Sequence, residues 1–196
     1  MRTGAMVLLV AILTGSAACQ RAASKPQVCG TNRGVHVTPM SIANFGIGET
    51  IAALKAKCAF ARDTTLPGES DEYPAVTFPF AGATVLAVQF TDSLKASQPA
   101  DLWVLEGDSV YLPGGIRLKT TWRSLRETYG RARGWPSTGL DTADFSFCSI
   151  PGIVFRVAVA AAQDSLADPA HPETFPAEAT VVRVMVERVP GQNTCM

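Results

Sequence analysis

The sequence of 196 residues has no excess of charge of either sign and no long apolar run. Its 17 Lys and Arg residues are balanced by 17 Asp and Glu residues. This balance argues against general nucleic-acid binding, which requires surplus cations to displace counterions from phosphate. No apolar run reaches the ~18 residues that a membrane-spanning helix needs. Because 47% of the residues are hydrophobic, the sequence predicts one domain or two small ones with a buried core.

Motifs that mark catalytic and metal sites are also missing. The chain has 2 histidines, His36 and His171, and we expect each to be solvated. The sequence contains no Gly-x-Ser-x-Gly elbow and no HExxH, CxxC, EF-hand or Walker motif. We therefore predict no catalytic residue, no metal site and no cofactor.

The first nineteen residues follow the order of a secretory signal peptide. Arg2 is followed by the apolar run Ala5–Leu13, by small residues at 14–18, and by Cys19. We predict that residues 1–18 are removed and that the polar residues 19–35 form a flexible tether. Ordinary cleavage near Ala18, without modification of Cys19, is the alternative.

The end of this segment, Ala17-Ala18-Cys19, resembles the signal of bacterial lipoproteins. In that family the Cys is acylated and becomes the new N-terminus. The resemblance implies an exported protein of the bacterial cell envelope, anchored in a membrane through Cys19, on the periplasmic side or at the surface. Several acyl chains anchor a protein strongly, because each buried methylene contributes ~0.8 kcal/mol.

Four cysteines remain: Cys29, Cys58, Cys148 and Cys195. An even number in an exported chain predicts two disulfides. In a strand, Cys148 would point away from the face that carries Phe145 and Phe147, and hence away from a helical Cys58. Four cysteines allow three connectivities, and the sequence alone does not choose among them; we favour the pairs Cys29–Cys58 and Cys148–Cys195.

Two segments, one in each half of the chain, carry the same helical pattern. Their apolar stripes, at spacing i, i+3 and i+7, consist of Ile51, Leu54 and Cys58, and of Trp122, Leu125 and Tyr129. Thr50 and Thr121 precede the stripes as N-cap candidates, and Gly130 follows the second. We predict a short amphipathic helix at each place.

Runs rich in Val, Phe and Ile, typical of strands, follow each helix, at 73–80, 83–90 and 102–112, and at 145–150, 153–160 and 180–188. The predicted class is an α+β fold of two tandem repeats, each with one helix followed by a three-stranded antiparallel meander. The helices would pack on one sheet face. The repeats would span 36–112 and 113–190, with a C-terminal tail at 191–196.

The two helical segments resemble a known family. The matching residues are Gly48, Thr50 and Leu54 in the first half, and Thr121, Leu125 and Gly130 in the second. The pattern is similar to that of the small outer-membrane assembly lipoprotein and the tandem-repeat β-lactamase inhibitor protein. This resemblance implies helices packed on an antiparallel sheet and an activity of protein binding, but it implies no particular binding residue.

One segment is strongly basic and ends in a tryptophan. It comprises Arg117, Lys119, Arg123, Arg126, Arg131, Arg133 and Trp135. Such a face could bind anionic lipid or an acidic partner. A solvated helix face is the alternative interpretation.

These observations predict an exported, lipid-anchored envelope protein of the binding or scaffold type, without catalytic activity. Its partner would be another envelope protein or an envelope component, bound on the sheet face that the helices leave open. Two alternatives remain: an envelope hydrolase with an unrecognised site, and a purely structural spacer.

Overall fold

The computed structural model describes residues 29, 34–68, 71–137, 141–159 and 168–188. This part of the chain contains twelve strands, two α-helices and a short 3-10 helix, Pro113–Gly115. In chain order the strands and α-helices are β1 (Val35–Thr38), β2 (Ser41–Ile42), β3 (Phe45–Gly46), α1 (Ile51–Lys57), β4 (Arg62–Pro67), β5 (Glu72–Phe80), β6 (Ala83–Val88), β7 (Leu102–Glu106), β8 (Val110–Tyr111), α2 (Trp122–Tyr129), β9 (Ala132–Pro136), β10 (Thr142–Phe147), β11 (Ile153–Ala158) and β12 (Thr180–Glu187).

Eight of these strands form one antiparallel sheet in the order β4-β5-β6-β7-β12-β11-β10-β9. The pairing of β7 with β12 joins strands from the two halves of the chain at the centre of the sheet. The other four strands form a small sheet in the order β3-β2-β1-β8, in which β1 and β8 are parallel.

The predicted fold class is wrong. The described chain is mostly β, with 45% strand and 13% helix, and it does not consist of tandem helix-meander repeats. The interpretation as three-stranded meanders missed β4 and β9, which lie at the two edges of the large sheet. β4 is largely exposed and polar, and β9 has no buried residue, so both lack the apolar alternation that marks a half-buried strand. It also missed the small sheet, whose strands have two to four residues each.

The helical stripes are confirmed. All six stripe residues are buried: Ile51, Leu54, Cys58, Trp122, Leu125 and Tyr129. The caps are confirmed as well, because the Thr50 hydroxyl accepts a hydrogen bond from the Ala53 N–H and the Thr121 hydroxyl accepts one from the Ser124 N–H. Gly130 ends α2 with a φ of 79°, a conformation that glycine adopts without steric cost.

The main hydrophobic core lies between the helices and one face of the large sheet. It contains the stripes of both helices and the inward side chains of β5–β7 and β10–β12. The Trp122 ring centroid lies 4.2 Å from that of Phe145 and 5.6 Å from that of Phe175. Tyr129 packs beside Phe147, and burial raises the pKa of its hydroxyl to about 12. These aromatic contacts fix α2 on this face.

The predicted disulfide Cys29–Cys58 is confirmed. It joins the residue after α1 to the chain before β1, with the two Cα atoms 5.0 Å apart. Closing a loop of this size stabilises a fold by about 3–4 kcal/mol in the chain-entropy model. Cys148 is also disulfide-bonded, and Cys195, its predicted partner, lies outside the described residues.

The predicted signal peptide, Cys19 and the C-terminal tail also lie outside the described residues. Within the described residues, no helix is both long and apolar enough to cross a membrane.

Candidate binding groove

The large sheet has a second face, here called the helix-free face. It carries a separate cluster of buried residues that come only from strands: Ala75, Val88, Val104, Val154 and Met185. These side chains alternate along their strands with those of the main core, so they point to the opposite side of the sheet. The helix-free face is therefore apolar at its centre, although neither α-helix contributes to it.

A groove of about 570 Å³ crosses this face. Its floor is formed by Leu102 of β7, Met185 of β12 and Val154 of β11. Glu187 also lines the groove and lies directly opposite Leu102 across the β7–β12 pair. The floor offers an apolar surface between two ends that carry charge.

The first end, the Phe90 end, combines an aromatic ring with a carboxylate. Phe90 is 55% exposed, and the Tyr73 ring meets it edge to face with the centroids 5.2 Å apart. One Asp101 oxygen accepts a hydrogen bond from the Phe90 N–H at 3.0 Å, and the other accepts one from the Arg188 guanidinium at 2.8 Å. Burial raises the pKa of Asp101, but these hydrogen bonds outweigh it and lower the pKa overall. Asp101 is therefore a carboxylate at neutral pH.

The opposite end, the Trp135 end, also combines an aromatic ring with a carboxylate. Trp135 of β9 lies directly opposite Asp144 of β10. Both Asp144 oxygens accept hydrogen bonds from the Arg156 guanidinium, each at 2.8 Å. This bidentate pair is mostly buried, with the side chains of Arg156 and Asp144 19% and 9% exposed. The hydrogen bonds to Asp144 raise the pKa of Arg156, against the opposing effect of burial.

Arg156 also belongs to a row of four charges across the helix-free face. Arg183 lies directly opposite Arg156 on β12, and it forms an ion pair with Glu106 of β7. The two arginines at the centre of the row are thus each held by a carboxylate on the strand farther out. Like charges that lie directly opposite each other on neighbouring strands repel, and the two flanking carboxylates compensate this repulsion.

The structure distributes the predicted basic segment over three places. Before α2, Arg117 lies over the Tyr111 ring with 4.6 Å between guanidinium carbon and centroid, and Lys119 forms an exposed ion pair with Asp108. Arg133 and Trp135 lie on β9 on either side of Gly134, which approaches the Phe145 ring of the main core. Because side chains alternate along a strand, Arg133 and Trp135 both lie on the helix-free face.

The third place is a groove of about 600 Å³ beside α2, which Arg123, Arg126 and Arg131 line. Arg123 is paired with Glu178 at 3.0 Å. Arg126 donates to the backbone carbonyls of Pro172 and Glu173. Acidic residues accompany these cations, since Glu127 and Glu173 line the same groove.

The sequence interpretation singled out Trp135 but missed Phe90, Asp101, Asp144 and Arg188. One signal was present: Asp144 and Ser146 alternate with Phe145 and Phe147, which indicates polar groups on the second face of a strand. Among the described residues, no group of three or more His, Cys, Asp or Glu side chains could hold a metal ion.

No protein-family model matches the chain, and no curated protein matches it. Among solved structures, the chain is similar to the crystal structure of the uncharacterised protein YfeY from Escherichia coli, with a TM-score of 0.48 and 9% sequence identity. The similarity covers 82% of this chain and 99% of that chain. These comparisons assign no family to the chain.

Proposed function

We propose that this chain is an exported, lipid-anchored protein of the bacterial envelope that acts by binding a partner in the groove of the helix-free face. The observation that carries this proposal is the groove itself, an apolar floor with an aromatic ring and a carboxylate at each end. Ligand sites are commonly apolar clefts with a few placed polar groups. This groove has that composition.

The electrostatics of the groove favour binding over hydrolysis. A general acid or base needs a pKa near the working pH. The pKa of Asp101 is lowered instead, and both Asp144 oxygens are occupied by Arg156. The envelope hydrolase is therefore the second candidate, and no observation among the described residues favours it.

Export is supported by the covalent chemistry of the chain. Disulfides persist in oxidising compartments such as the bacterial periplasm and are rare in the cytosol. The Cys29–Cys58 bond fits such a compartment. The order of Arg2, an apolar run, small residues and Cys19 supports the lipid anchor.

We expect Cys19→Ala to abolish labelling by a fatty-acid analogue and to release the chain from the membrane fraction. The reason is that Cys19 would carry the acyl chains whose burial holds the protein there. Metabolic labelling followed by fractionation measures both effects. The double variant Cys29→Ser/Cys58→Ser is the control and should keep its label. Unchanged labelling of Cys19→Ala would contradict the anchor.

Binding in the groove is tested by photo-crosslinking in intact envelopes. A photoreactive amino acid at Phe90 should give a discrete adduct, whereas the same residue at Phe60 should give none. The two phenylalanines form a matched pair, because Phe60 is 54% exposed and Phe90 is 55% exposed, and only Phe90 lines the groove. Equal adducts at both positions, or none at Phe90, would contradict the proposal.

A further inference from the structure

We infer that Gln89 is a positioning residue for the Phe90 end of the groove, because its buried amide fixes the loop that presents Phe90 and Asp101 to a ligand. This inference rests on the proposed binding function and adds a residue to that same site. It follows from the burial of Gln89, from the hydrogen bonds of its amide, and from the contacts of the loop with the groove and with α1.

The Gln89 side chain is polar and yet only 1% of the residue is exposed. Its Nε2 donates to the backbone carbonyls of Lys95, Gln98 and Pro99 at 3.1, 3.2 and 3.0 Å. Its Oε1 accepts a hydrogen bond from the Lys95 N–H at 2.7 Å. The Gln89 N–H donates to the Pro74 carbonyl of β5 at 3.0 Å, so its backbone is tied to the sheet. A buried amide is costly unless it is hydrogen-bonded, and this loop satisfies it.

The loop that Gln89 holds spans residues 90–100 and connects two groups of the groove. Phe90 directly follows Gln89, and Asp101 ends the loop with its N–H donating to the Val88 carbonyl at 2.8 Å. The Phe90 N–H donates to the Asp101 carboxylate at 3.0 Å, and both residues line the groove. The conformation of the loop therefore determines where this ring and this carboxylate lie.

The same loop contacts the first turn of α1. The Ile51 N–H donates to the Gln98 carbonyl at 2.9 Å, and the Ala52 N–H donates to the Ala96 carbonyl at 2.8 Å. These are donors that a helix cannot satisfy by itself. The loop is thus held in two ways, by the backbone of α1 and by the Gln89 amide, which links it to the sheet.

The Phe90 ring depends on this loop for its position. The ring belongs to a residue that is 55% exposed, and its aromatic contact is the edge-to-face contact with Tyr73. Binding to a mobile loop costs the free energy of ordering it, whereas binding to a preordered loop does not. Gln89 therefore strengthens binding at the Phe90 end without touching the ligand.

Fluorine NMR of the full chain in phosphatidylcholine nanodiscs tests this role. Trifluoromethyl-phenylalanine replaces Phe90, and the Tyr73 ring shifts its signal away from the position in the urea-unfolded chain. Gln89→Met has nearly the same length but makes no such hydrogen bonds, and we expect it to move the signal about halfway toward the unfolded position. The same probe at Phe60 should not respond. Trp122→Phe, which loosens α2, is the control for lost stability and should leave the signal at position 90 unchanged.

Gln89→Glu gives a readout that lost packing alone would not give. The protonated acid can donate to one loop carbonyl and accept from the Lys95 N–H, whereas the carboxylate can only accept. Burial raises the pKa of such a carboxyl group. The signal of the probe at position 90 should therefore lie near its wild-type position at mildly acidic pH and move toward the unfolded position at alkaline pH. The chain with Gln89 should show no such movement.

The link to binding is tested with the photoreactive amino acid at Phe90. Gln89→Met should reduce the envelope adduct about tenfold, because the loop must then be ordered during binding. Trp122→Phe should leave the adduct unchanged. An undiminished adduct in Gln89→Met would overturn the inference, since the amide would then serve stability alone.

An unchanged fluorine signal in Gln89→Met, or an equal shift in Trp122→Phe, would also overturn the inference. If Gln89→Met cannot be purified, the pH response of Gln89→Glu decides, and its absence counts against the positioning role. The proposed function fails separately, through the lack of a Phe90-specific adduct in the chain that carries Gln89. The fluorine experiment needs no ligand, so the two failures are distinguishable.

Discussion

Trp122→Ala should lower the free energy of unfolding by about 3–5 kcal/mol, the usual cost of truncating a buried aromatic residue. The indole is 1% exposed and packs against Phe145, Phe147 and Phe175. Its N–H also donates to the Pro172 carbonyl at 3.1 Å, so truncation removes a hydrogen bond as well as packing. The loss should detach α2 from the sheet.

Chemical denaturation of Trp122→Ala and Trp135→Ala measures this effect. Trp135 is a matched control, because it undergoes the same truncation at a half-buried site on the opposite face. We expect the control to lose much less stability. If Trp122→Ala is too unstable to purify, Trp122→Phe should show a smaller loss in the same direction. Equal losses in the two alanine variants would refute the placement of Trp122 in the core.

Removal of Asp144 should be the second most damaging change, at about 3 kcal/mol. Asp144→Ala leaves the mostly buried Arg156 guanidinium without its bidentate partner. Arg183 lies directly opposite Arg156, so a like charge remains beside the unpaired one. An uncompensated charge in such a site costs far more than the loss of an exposed pair.

A double-mutant comparison separates this cause from simple loss of packing. Asp144→Ala/Arg156→Met should recover most of the stability, because no charge is then left unpaired. Glu178→Ala, which breaks the exposed pair with Arg123, should cost at most ~1 kcal/mol. If the double variant is no more stable than Asp144→Ala, the unpaired charge of Arg156 is not the cause of the loss.

The buried strands could be predicted from the sequence because their side chains alternate. The predicted runs at 73–80 and 153–160 correspond to β5 and β11 within two residues at each end. The edge strand β4 could not be predicted, because Arg62, Asp63 and the two threonines that follow are all exposed. No apolar residue alternates with a polar one along this part of the strand. Missing both edge strands and the small sheet left out much of the strand content, and the fold is mostly β.

The groove was hidden from the sequence for a different reason. Phe90, Trp135 and Arg188 are far apart in the chain. Trp135 lies on β9, whereas Phe90 and Arg188 follow the ends of β6 and β12, and the pairing of the strands in one sheet brings the three residues to the same groove. The basic segment shows the converse, since its members are close in sequence but the fold separates them. Arg126 binds carbonyls beside α2, whereas Arg133 lies on the helix-free face. The lipid anchor and the resemblance to the assembly-lipoprotein family stay predictions.

The Cys29–Cys58 bond also determines how mechanical load passes through the molecule. A pull on the chain before Cys29 is carried across the sulfur bridge directly to the residue that follows α1. Three strands of the small sheet, β1, β2 and β3, lie between these two cysteines inside the covalent loop and bear no tension, whereas β8, the parallel partner of β1, lies outside the loop. A protein held to a moving surface by its N-terminal segment would therefore transmit force to the stable core and would not unravel from its first strands.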